Sequence, residues 1–190
     1  MRLHTVPALG GGGQALLQYD TSMDAASLQI RLYPDPGLAQ VAEPVEAVTP
    51  EIQALAHRMG ELMVEADGIG LAAPQVGVSK RLFVTRDPDD PEAAVVWINP
   101  TLEVIDDTCA SSIEGCLSLP DIDVSVVRPV GIRITGTDLD GATCTLESDQ
   151  HIARVWQHEY DHLEGRLIID RMSTMDRLRS RRALRALKGR

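Results

Sequence analysis

Residues 157–165 read Gln157-His158-Glu159-Tyr160-Asp161-His162-Leu163-Glu164-Gly165. His158 and His162 stand four positions apart, and on an α-helix that spacing puts both imidazoles on one face, one turn above the other. Two rings so placed hold one divalent ion, and Glu159 adjoins the first of them. A metal that activates water, beside a carboxylate that takes the proton, is the minimum apparatus for hydrolysing an amide. A helix is indicated by Ile152, Val155, Trp156 and Leu163 at helical spacing, with Ser148 or Asp149 as the cap and Gly165 where a helix end favours a left-handed residue. The plain alternative is a surface helix that happens to carry these residues. It leaves two imidazoles on a partly apolar helix, and burial penalises ring nitrogens without partners.

A hydrolytic site needs three protein ligands and one open position. Downstream candidates are poor. Six residues beyond His162 stands Ile168, which binds no metal, and after Glu164 the only acids are Asp170 and Asp176. Upstream there are three cysteines. Cys116 lies in Glu114-Gly115-Cys116-Leu117-Ser118-Leu119-Pro120, a segment in which Gly115 frees the backbone and Pro120 stops it, so it suits a fixed ligand. Cys109 falls in a polar stretch, 106–112, that reads as a loop. Cys144 falls in an alternating strand pattern, 142–146. For a lone cysteine the default reading is a small buried hydrophobe.

Three stretches together resemble the bacterial peptide deformylases: Gly68-Ile69-Gly70-Leu71-Ala72-Ala73-Pro74-Gln75-Val76-Gly77, then 114–120, then 157–165, in that family's order. The similarity covers about residues 27–175. It implies Cys116, His158 and His162 as metal ligands and Glu159 as the catalytic carboxylate. It also brings Gln75, the main chain of Leu117 and the glycine-rich segment at Gly70 into the site. The implied reaction removes the formyl group from the N-terminal formyl-methionine of nascent peptides and releases formate. Water on the metal attacks the formyl carbon, and Glu159 serves as base and then acid. The Leu117 N–H and the Gln75 amide are the implied donors to the developing oxyanion, and Ile69, Leu117 and Val155 the apolar wall around the methionine. The implied cofactor is one divalent ion, ferrous iron in the cell, with nickel, cobalt or zinc able to replace it. One position departs from the family pattern. Many members carry an arginine three residues after the proline of the middle motif, where it helps hold the peptide, and this chain has Asp123.

A length of 190 residues favours one catalytic unit, and 44% hydrophobic residues with only 3% aromatic imply a core of aliphatic side chains and methionine. No stretch approaches the roughly 20 apolar residues of a membrane span. The N-terminus shows no signal-peptide pattern, and three cysteines make no disulfide framework, so a reducing cytoplasm is expected. The net charge of −10 is unevenly spread. Residues 177–190 hold seven Lys or Arg and no acid, so 1–176, with 11 basic and 28 acidic groups, carry −17. The acidic body argues against DNA and general nucleic-acid binding. The basic tail reads as a helix with Leu178, Leu184 and Leu187 near one side. It suits either packing on the acidic body or contact with ribosomal RNA, and the resemblance extends to C-terminal helices linked to ribosome association.

The four-glycine run 10–13 makes 1–26 read as a flexible extension, leaving 27–176 as the catalytic unit and 177–190 as a basic helix or tail. Thr49-Pro50-Glu51 opens a helix, and Ile52, Leu55, Met59, Leu62, Met63 and Ala66 continue it. Strand patterns fall at 81–85, 95–99, 102–105, 124–128, 131–137 and 142–146, with a hairpin signal at Asp140-Gly141. The order predicts an α+β fold: antiparallel or mixed sheets around a central metal-binding helix, with one helix before and one after. Two other readings compete with a deformylase. A zinc peptidase cutting internal bonds is disfavoured by the missing downstream ligand, and a non-catalytic metal- or ribosome-binding protein is disfavoured by Glu159.

Overall fold

The computed structural model describes residues 5–7, 25–88, 90 and 92–189. Six antiparallel strands form one sheet: β1 Thr5–Pro7, β2 Gly70–Ala72, β3 Leu82–Arg86, β4 Ala93–Glu114, β5 Val124–Thr137 and β6 Thr143–Ser148. Their order is β2-β3-β4-β5-β6, and β1 pairs with the start of β4. The sheet is antiparallel throughout rather than mixed; one isolated parallel bridge joins Glu43 and Lys80. The helices are α1 Pro50–Glu65, α2 His151–Leu163, α3 Ile168–Arg171, α4 Thr174–Arg179 and α5 Arg181–Lys188. Among the described residues no helix is long and apolar enough to cross a membrane.

Strand periodicity sorts the core into layers. Leu82, Val84, Val96 and Ile98 face α1 and meet Ile52, Leu55, Met59 and Met63. The alternate residues Phe83, Val95 and Trp97 face α2 and meet Ala153, Trp156 and Leu163. Side chains one position apart on a strand point to opposite faces, so β3 and the start of β4, 93–98, are buried on both sides and lie between the two helices. Trp97 and Trp156 meet edge to face, with ring centroids 5.9 Å apart. A third cluster joins Leu119, Ile122, Val124 and Val126 to Leu167, Ile168, Met172 and Leu187.

Several local expectations are corrected. The patterns at 95–99 and 102–105 belong to one strand, β4, which continues through the stretch read as a loop and carries Cys109 opposite Pro129. Register shifts interrupt the ladder between Ile98 and Cys109, and most of 101–113 is exposed, so no alternation marks it as strand. Likewise 124–128 and 131–137 are one strand, β5. Gln150, not Ser148 or Asp149, occupies the cap of α2. The Ser148 hydroxyl accepts from the Gln150 N–H at 3.0 Å, one position short of the helix. Gly165 does take the left-handed conformation, φ 67°, directly after α2.

Of the expected extension, Thr5–Pro7 pairs with β4 and 25–27 form a 3-10 turn against α1; residues 1–4 and 8–24 lie outside the described residues. The basic segment is two short helices, α4 and α5, rather than one. Leu187 is buried, Leu184 packs beside it, and Leu178 is 63% exposed.

Candidate active site

Two segments distant in sequence converge on one point. β4 ends at Glu114 and hands the chain through Gly115 to Cys116, while α2 presents His158 and His162 from successive turns. One donor atom from each of Cys116, His158 and His162 lies within 4.8 Å of the others. The Cys116 Sγ stands 3.4 Å from His162 Nε2. An ion bonded to sulfur at about 2.3 Å and to nitrogen at about 2.0 Å, at a tetrahedral angle, would separate these atoms by about 3.5 Å. His158 Nδ1 lies 3.1 Å from Glu114 Oε2, which leaves Nε2 for an ion and fixes the ring's orientation.

The two histidines differ in charge preference. Burial opposes charge on His158, but its contacts with Cys116 and Glu114 prevail and lift its pKa to about 10. His162 is held neutral, the ligand form, by burial and by the proximity of His158 and Arg128. The donor set and its spacing fit a divalent ion.

Glu159 is 4% exposed, and its Oε2 has no hydrogen-bond partner among the described residues. Burial raises its pKa to about 7 against the opposing pull of His158 and Arg128, a suitable value for a group that accepts and returns a proton near neutrality. Gly70 makes room for it: a Cβ there would lie 2.8 Å from Glu159 Cδ. The missing side chain thus accommodates the carboxylate. Gly70→Ala is expected to push Glu159 aside and lower turnover by about 100-fold with bound metal retained, as checked by steady-state kinetics with metal analysis.

Gln75, 1% exposed, sits in a short 3-10 turn after β2. Its Oε1 accepts from the Ala72 N–H at 2.8 Å, which turns Nε2 towards Ser118 Oγ at 3.1 Å and Cys116 Sγ at 3.6 Å. The Leu117 N–H makes no hydrogen bond to another described residue. Gln75, Leu117, Glu159, Cys116 and His158 line a cavity of about 560 Å³, together with Ile69, Gly70 and Val155. His162 lies buried behind them. All the sequence candidates but His162 therefore line one cavity, and His162 reaches it through Cys116 at 3.4 Å.

Sequence reasoning missed what holds these groups in place. Arg128, 3% exposed, donates Nε and Nη2 to the two oxygens of Glu114 at 2.7 and 2.8 Å, and Nη1 to Asp161 Oδ2 at 2.8 Å. Arg154 adds a third donor to Glu114 at 2.7 Å, and Arg171 closes on Asp161. Burial works against the Glu114 carboxylate, but Arg128, His158 and Arg154 together hold its pKa well below the usual range. A signal was present: Val124, Val126 and Arg128 alternate on one strand face, which places the arginine inward with two core valines.

With that geometry in hand, its relatives are informative. A family model described as Polypeptide deformylase matches residues 27–178. The chain belongs to this family. A peptide deformylase of Acidobacterium capsulatum is 44% identical over 147 residues, covering 76% of this chain and 86% of that one. One of Teredinibacter turnerae is 40% identical over 159 residues, covering 84% and 95%. Among solved structures, a plant peptide deformylase superposes with TM-score 0.79 at 36% identity, covering 90% of this chain and 91% of that one. The Thermotoga maritima peptide deformylase gives 0.72 at 41%, covering 77% and 97%. The α+β fold is that of the peptide deformylases, and the chain is an enzyme of their class, a hydrolase that removes the N-formyl group from nascent peptides. The family is metal-dependent, and Cys116, His158 and His162 form a candidate metal site.

Proposed function

We propose that this enzyme hydrolyses the formyl amide of N-terminal formyl-methionine through a divalent ion held by Cys116, His158 and His162, with Glu159 as the proton carrier. The observation that carries the reading is the convergence of one sulfur and two imidazole nitrogens within 4.8 Å at the wall of the cavity that Glu159 also lines. An ion held there would lower the pKa of water towards neutrality and would polarise the formyl carbonyl. Glu159 accepts a proton from the attacking water at its carboxylate and delivers it to the departing amine; the unpartnered Oε2 is available for both transfers. Glu114 keeps the His158 ring turned towards the ion. The Leu117 N–H and the Gln75 Nε2 donate to the carbonyl oxygen as it gains charge, each worth about 3 to 4 kcal/mol of barrier. Ile69, Leu117 and Val155 form the apolar wall that receives the methionine side chain, and Gly70 lets Glu159 sit beside the scissile bond.

We take ferrous iron as the ion in the cell, with nickel, cobalt and zinc as substitutes, and the cytoplasm as the place of work. Residues 27–176 would be the catalytic unit, 1–26 an extension and 177–190 an appended basic segment. Anaerobically purified enzyme should release formate from a formyl-methionyl peptide and leave an unblocked peptide intact, with metal analysis identifying the ion. Cleavage of internal peptide bonds, or no formate, would refute the proposal.

The basic segment supports a contact with ribosomal RNA. Arg181, Arg182 and Arg185 on α5 are exposed, and among the described residues none has a carboxylate partner. Deleting the segment would also remove Leu187 from the core, so the test is substitution. Arg181→Gln, Arg182→Gln and Arg185→Gln combined should lower co-sedimentation with ribosomes and weaken its salt dependence while leaving formate release intact. Equal pelleting would end the idea.

A further inference from the structure

We propose that the mouth of the catalytic cavity selects formyl peptides that carry lysine or arginine immediately after the methionine, through Asp121 and Asp123. The inference rests on the deformylase reading of the same cavity and specifies its preferred substrate class.

The charges lining the cavity do not balance. Arg154 is the arginine among them, and its charge is already paired: Nη1 donates to Glu114 Oε1 at 2.7 Å and to the Val126 carbonyl at 3.0 Å, and Nη2 to the Ala110 carbonyl at 2.7 Å. Asp67 is matched by Arg86 at 3.0 Å. Asp121 and Asp123 also line the cavity, are exposed, and have no ion pair among the described residues. Asp123 is placed to meet a substrate. Its Oδ1 stands 2.9 Å from where a Gly115 Cβ would be, so the carboxylate overhangs the bare backbone next to the Cys116 ligand. At the inner end of the same cavity, Glu159 Oε2 is buried and unpartnered, which marks that end as the place where the reacting group is received. A chain whose formyl end reaches Glu159 and whose remainder leaves through the mouth passes Asp123 and Asp121 with the residues that follow methionine.

The substrate's chemistry sharpens the effect. A formylated terminus has no ammonium charge, so charge discrimination falls on the side chains behind it. Each exposed ion pair of this sort changes affinity by up to about fivefold, and added salt reduces it.

The test compares formate release from formyl-Met-Lys-Ser, formyl-Met-Ala-Ser and formyl-Met-Glu-Ser by the metal-loaded enzyme. At about 50 mM salt the lysine peptide should exceed the glutamate peptide in kcat/KM by about tenfold, carried mainly by KM, and at about 500 mM the ratio should fall towards one. In Asp121→Asn/Asp123→Asn the ratio should collapse to within about twofold of one even at low salt. Asn suits the left-handed backbone of Asp121, φ 63°, as Asp does, so the fold should be kept, and a thermal melt checks it. Equal rates for the charged peptides in the parent enzyme would overturn the inference, as would a ratio that survives in the double variant, which would assign it to the acidic body as a whole. Failure of the alanine peptide to release formate would instead overturn the deformylase reading.

Discussion

Glu159→Gln is expected to keep its metal and lose turnover by about 10²- to 10⁴-fold, the range that removal of a positioned acid–base group covers. The substitution is nearly isosteric. The space left by Gly70 still accommodates it, and none of Cys116, His158 or His162 is altered. An amide at that position cannot accept the water's proton, and it has none to give to the departing amine. The side chain is buried, so bulk water is a poor replacement. Formate release measured beside metal content separates the outcomes. Full metal with turnover near the parent level would remove Glu159 from the mechanism, and loss of metal would show that the residue is structural.

Arg128→Leu is expected to destabilise the protein by about 3 kcal/mol, the low end for removing one partner from a buried ion pair. Arg128 faces two carboxylates, Glu114 and Asp161, with side-chain exposures of 6% and 8%. Removing it leaves both short of compensation. Arg154 and His158 still serve Glu114, and Arg171 still serves Asp161, which keeps the cost from reaching the upper end. Urea unfolding at constant metal load measures it; a loss below about 1 kcal/mol would show that the remaining arginines compensate fully. A pH dependence accompanies it. The folded Glu114 has a pKa below its ordinary 4.5, so it binds its proton more weakly folded than unfolded. Its contribution is therefore complete above about pH 4.5 and is lost as pH falls through the acid range towards the folded pKa. The parent should lose more stability on acidification than the variant, in which Glu114 is less strongly held as the anion. Because Glu114 also orients His158, metal affinity should fall by about tenfold or more.

These two residues show what kinds of information the chain carries openly. His158, Glu159 and His162 lie within one helical turn, and their relation follows from the helix repeat, so local sequence states it. Arg128 acts between Glu114, 14 positions away, and Asp161, 33 positions away. Its role depends on β5 bringing the end of β4 to α2, which no local pattern encodes. The stretch carrying Cys109 was misread for a related reason. Its β4 side chains are exposed on both faces, so no buried side imposes alternation there, and only the pairing with β5 reveals the strand.

By itself the sequence determined the α+β class, the helix bearing the histidine pair, the identity of the gathered site residues and the resemblance to one enzyme family. The class and that helix follow from periodicity and residue types at short spacing; the site residues beyond the helix follow from the resemblance. Only the tertiary structure decided why Gly70 has no side chain, what charge compensates Glu114, and that Asp123 overhangs Gly115 at the cavity mouth. Those facts concern atoms brought close by the packing of α1, the sheet and α2. A contact between distant segments is fixed when the core closes, not when a turn or strand forms.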